Sequence, residues 1–137
     1  MKYLFLFIIL LPSITKAQKI DDTKIIITVT DSVDLYKKTK IALVNHNFII
    51  KDNYNYDTLT TYENEMHNFP GYMIAGATIK GNTVTLYGTY GLKPIGVIDY
   101  TLNNVNYIPV AYYKGSYSWR ILLSIAQNIG SQIAFSK

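Results

Sequence analysis

Glu63, Glu65 and His67 alternate along the chain, so an extended backbone would project two carboxylates and an imidazole from one face. Such a set could ligate a divalent cation or move a proton. The competing reading is a charged, solvated edge strand that resists pairing with other chains. It is preferred here, because His46 is the only other histidine. His46 falls at the end of an expected helix, where an imidazole suits the negative end of the helix dipole. No serine or carboxylate stands beside it in sequence to act as its nucleophile or orienting group. Asp52 and Asp57 bracket a turn, without the acidic spacing and glycine of an EF-hand loop. Gly76, Gly88 and Gly91 sit in strand or hairpin context. Neither GxxxxGK[ST] nor GxGxxG occurs, which argues against nucleotide binding. The chain has no cysteine, and with it no thiol nucleophile, redox pair or thiolate metal site. The expectation is a protein that is not an enzyme and holds no metal or cofactor.

The thirteen tyrosines are a different signal. Tyr54, Tyr56 and Tyr62 surround one turn, and Tyr87 and Tyr90 end a strand. Tyr107, Tyr112, Tyr113, Tyr117 and Trp119 crowd a long irregular segment and the helix after it. Tyrosine and tryptophan offer rigid, amphipathic contact area at low entropic cost, which is why binding surfaces favour them. The alternative is ordinary sheet packing in a chain rich in Ile, Asn, Lys and Tyr. Trp119 reads as core, and Tyr107, Tyr112, Tyr113 and Tyr117 are the expected binding residues.

These residues need elements to position them. Lys24 to Thr30 is β-branched almost throughout and reads as a buried strand. Asp31 and Ser32 supply a helix cap, with Asp34 near the positive dipole end. The helix runs to about Asn45, with Val33, Tyr36, Leu43 and Val44 expected inward, and Asn45-His46-Asn47 ends it because Asn tolerates left-handed backbone. Phe48-Ile49-Ile50 opens a second strand, residues 52–57 form a turn, and Thr58 to Glu65 alternates as a third. Tyr72 to Lys80 and Thr83 to Tyr90 form a hairpin about Gly81-Asn82. Residues 91–116 are punctuated by Gly, Pro and Asn, with room for a short extra hairpin. Ser116 caps a second helix, whose Trp119, Leu122, Leu123, Ala126 and Ile129 make one apolar stripe, and Gly130 is placed for its end. Ser131 to Lys137 is either an edge strand or a tail. The fold class is α+β: a four- to five-stranded antiparallel sheet with two helices on one face, in the order β-α-β-β-β-β-α.

The 137 residues carry a formal charge of +4, with 49% apolar and 16% charged residues. That suits one domain rather than a disordered polymer. The beginning reads as an export signal: Met1-Lys2-Tyr3, an apolar run from Leu4 to Leu11, then Thr15 and Ala17 before a cut at Gln18. The expected organisation is a signal peptide at 1–17 and a single domain at 18–137, soluble after cleavage and located in the periplasm or secreted. Eight apolar residues fall far short of the roughly 20 that span a bilayer. Without Lys2 and Lys16 the charge falls to +2, and only Lys37, Lys38 and Lys40 cluster. A nucleic-acid partner is therefore not expected.

The element order resembles the TATA-box-binding-protein-like, or helix-grip, arrangement. The run from Ile25 through Thr61 resembles the small periplasmic domains of the outer-membrane assembly lipoprotein C type. The shared sequence of features is a strand, a helix, the Phe48-Ile49-Ile50 strand, an Asp52 turn and a return strand at Thr58 to Thr61. The chain departs from that family in lacking the lipid-bearing cysteine. The resemblance implies a non-enzymatic scaffold and transfers no functional residue. Together these readings lead to an exported interaction module of a Gram-negative cell envelope, with a protein or envelope component as partner, or self-association through an edge strand. The alternative is a carrier of a small apolar, lipid-like ligand, in a sheet–helix cavity lined by Met73, Ala75, Ala77, Leu86, Leu122 and Ile125.

Overall fold

The computed structural model describes residues 17–51, 55–92 and 105–137. The expected signal peptide up to Lys16, the turn residues 52–54 and residues 93–104 of the punctuated segment lie outside the described residues. The fold is α+β, with an antiparallel sheet covered on one face by two helices. The strands are β1 (Lys24–Thr28), β2 (Thr58–Thr60), β3 (Asn64–Glu65), β4 (Gly71–Lys80), β5 (Thr83–Leu92), β6 (Ile108–Pro109) and β7 (Gln132–Ser136). The helices are α1 (Leu35–Asn45) and α2 (Tyr117–Ile129). The described sheet thus has seven strands rather than four or five. Its order is β2-β4-β5-β1-β7, with β3 also on β4 and β6 also on β5.

The β4–β5 hairpin is the spine. Ten residues of each strand pair in register from Gly71↔Leu92 to Lys80↔Thr83, and Gly81 turns the chain at a φ of 57°, which glycine adopts without steric cost. Shorter segments share the outer edges of this spine. β2 and β3 lie along β4, while β1 and β6 divide the edge of β5. The expected strand from Thr58 to Glu65 is therefore two strands with a break. Phe48-Ile49-Ile50 reduces to one bridge, Ile50↔Thr61.

Alternation sends Ile25 and Ile27, Met73, Ala75 and Ala77, Val84 and Leu86, and Ile133 and Phe135 towards the helices, where they are buried with Leu43, Trp119, Leu122, Ile125 and Ile129. α2 presents its predicted stripe to this core, and Ser116 Oγ accepts the Trp119 N–H at 3.3 Å as its cap. Leu123 lies at the margin of that stripe and is only half-buried.

Two helix ends differ from expectation. α1 begins at Leu35: Asp31 Oδ1 accepts the Val33 N–H at 2.9 Å, a local turn that competes with the helix. Asp34 at the N-cap is left-handed, at φ 54°, and its side chain makes no capping bond. The inward face is therefore Leu35, Thr39, Ala42 and Leu43, whereas Val33 is 75% exposed and Val44 50% exposed. Gly130 is extended rather than left-handed, and its requirement is space, since a Cβ there would meet Ile27 Cγ2 at 2.9 Å. The end of α1 matches expectation, with Asn47 left-handed at φ 65°.

Candidate functional site

The residues expected to bind sit around the start of α2 and the segment leading into it. The main chain of Tyr112 is tied to the turn before β1, with its N–H donating to the Asp22 carbonyl at 2.8 Å and its carbonyl accepting the Asp21 N–H at 3.1 Å. That turn is held by buried Asp22, whose Oδ2 accepts the Lys19 N–H at 2.7 Å. The Tyr112 ring leans on Trp119, with centroids 5.9 Å apart, and Trp119 leans in turn on Phe135 of β7 at 6.0 Å. Three segments distant in sequence thereby meet in one aromatic stack.

Beside the stack runs a groove of about 770 Å³ between α2 and β7. Tyr112, Leu123, Ile133 and Phe135 form its apolar walls, and Gln18, Gln127 and Ser131 bring polar atoms to it. β7 is the terminal strand in the sheet order, so its far edge has no strand against it among the described residues. An apolar trough beside a free strand edge has the two components of strand addition: main-chain hydrogen bonding and room for alternate side chains.

The other three tyrosines are elsewhere. Tyr117 stacks on Phe69 at 6.4 Å and 18°, Phe69 meets Tyr90 edge-on, and Arg120 lies 5.7 Å over the Tyr117 ring. Tyr107 is half-buried, packed over Gly91. Tyr113 is 49% exposed. Of the four, only Tyr112 lines the groove. Leu123, Ile133 and Phe135 were legible only as core. Nothing local in the sequence brings α2, β7 and Tyr112 together.

The acid–base candidates do not converge. β3 ends at Glu65 and His67 lies in the turn that follows, closed by Met66 N–H to the Gly71 carbonyl at 3.0 Å, so the alternation of Glu63, Glu65 and His67 is broken. Among the described residues no three carboxylate or imidazole side chains gather at one point.

His46, by contrast, does meet a serine. Its Nε2 lies 3.0 Å from Ser124 Oγ on α2, and its Nδ1 donates to the Ala42 carbonyl at 2.9 Å. A nucleophile–base pair of this kind also needs donors for a developing oxyanion. Ser124 lies in the interior of α2, where the backbone N–H groups are taken by the helix itself. The pair ties the end of α1 to α2.

The six residues expected to line a carrier cavity are all fully buried members of the continuous core. The apolar groove lies apart from them. No helix among the described residues is long and apolar enough to cross a membrane. Compared with family models and with curated proteins, the chain matches none.

Proposed function

We propose that this protein is a small exported, non-catalytic binding module that takes an extended, apolar segment of a partner protein in the groove between α2 and β7. The observation that carries the reading is the coincidence of a free strand edge with an apolar trough walled by Tyr112, Leu123, Ile133 and Phe135. Export is supported by the sequence of residues 1–17, with its apolar run and small residues before Gln18. The resemblance to envelope-assembly domains fits a scaffold in the periplasm or outside the cell.

A photo-crosslinking residue at Ser131, inside the groove, tests the reading in cells. The expected result is a discrete adduct that disappears when Leu123→Glu places a charge in the trough. The same crosslinker at Thr85, on the opposite sheet face, should give none. An adduct with a second copy of the chain would make the partner the protein itself. No adduct at Ser131, or one insensitive to Leu123→Glu in a folded protein, would overturn the assignment. A second reading, carriage of a small apolar ligand, is favoured by the groove's volume, which lies within the usual range for ligand sites. It predicts extra mass in the native protein that is lost on denaturation.

A further inference from the structure

The two helices contain no aspartate or glutamate, while α1 carries Lys37, Lys38 and Lys40 and α2 carries Arg120. All four cations are exposed, and the three lysines have no ion pair among the described residues. Helical spacing puts Lys37, Ile41 and Val44 on one outward line, with Lys40 and Lys38 to either side, opposite the buried Leu35, Thr39, Ala42 and Leu43. Ile41 on that line is 49% exposed.

Stability does not account for this arrangement. Lys37 and Lys38 lie in the first turn of α1, where the helix dipole disfavours cations and acidic residues are absent. Places where a chain contradicts its own local preferences are expected at functional surfaces.

From this face we infer a peripheral docking surface for an anionic phospholipid bilayer, separate from the α2–β7 groove. Charge complementarity fixes the sign of the partner, and the residue types select its class. Protein interfaces favour aromatic residues and arginine and are depleted in lysine. Lysines flanking exposed aliphatic side chains suit a headgroup layer, since their stems cover apolar surface while the ammonium groups reach phosphate. Each lysine near an anionic leaflet strengthens binding about fivefold, so three contribute on the order of 100-fold.

The test is vesicle co-sedimentation of the protein recovered from cells after expression of the full chain. Any effect of residues 1–17 is then common to every variant. Vesicles containing phosphatidylglycerol should bind the protein, pure phosphatidylcholine vesicles should not, and added salt should weaken binding. Replacing Lys37, Lys38 and Lys40 by glutamine should lower affinity on the order of 100-fold with an unchanged melting temperature. Replacing Lys19, Lys80 and Lys114 by glutamine, at the same net charge, should change it much less. Equal loss in both triple variants would reduce the effect to net charge and overturn the proposal. So would absence of vesicle binding, including the case where polyglutamate beads retain the protein through the same lysines, which would assign the face to an acidic protein.

Discussion

Tyr112 and Trp119 form a tilted ring pair, 5.9 Å between centroids at 57°, in which the tryptophan is 2% exposed and the tyrosine only half-buried. The tyrosine therefore serves two purposes, as wall of the groove and as lid of the core. Tyr112→Ala should destabilise the fold by about 1–3 kcal/mol, through the lost ring pair and lost apolar burial. Tyr113→Ala, on an exposed ring, should stay within about 0.5 kcal/mol. Urea unfolding of the two variants checks this, and equal stabilities would contradict the described packing.

Tyr87 crosses Gly76, its direct partner on β4: a Cβ at Gly76 would stand 2.5 Å from Tyr87 Cε2. Gly76→Ala should cost about 1–3 kcal/mol by overpacking. In a Tyr87→Ala background the same change should cost little. A double-mutant cycle in urea reads the coupling directly, and additive effects would remove the ring from that position.

The two helix starts should respond differently to mutation. Ser116→Ala removes a real cap and should cost about 1 kcal/mol. At Asp34 the side chain makes no capping bond and the backbone is left-handed. Asp34→Gly should therefore be more stable than Asp34→Ala by about 1 kcal/mol, because alanine resists that conformation. Thermal melts of the three variants test the order.

Ser124→Ala deletes the hydroxyl that His46 meets across the helix pair. The expected loss is about 0.5–1.5 kcal/mol, typical of one hydrogen bond. His46→Ala should lose more, since the Ala42 contact goes too. Hydrogen exchange should report the loosening first at the end of α1. Unchanged exchange there would mean that the pair does not tie the helices.

What was legible in the sequence was local. Gly81-Asn82 announces its hairpin through turn chemistry, and Ser116 with the 3.6-residue stripe announces α2. α1 was misread in phase because Val33 and Val44 are apolar, while its buried face includes Thr39, whose hydroxyl donates to the Leu35 carbonyl at 2.8 Å. The groove was illegible because its walls come from Gln18, Tyr112, Leu123 and Ile133, which only the β1–β7 pairing and the Asp21–Tyr112 hydrogen bond bring together.

That β1–β7 pairing also constrains how the molecule comes into being. β1 sits inside the sheet, yet one of its neighbours is made more than a hundred residues later; Lys24 Nζ reaches the Lys137 carbonyl, 113 positions away. Until β7 is synthesised, β1 has one open edge, and closing so long a loop must precede the contacts that reward it. Folding is therefore a late, slow, largely all-or-none event, and the growing chain spends its synthesis as an unfolded thread.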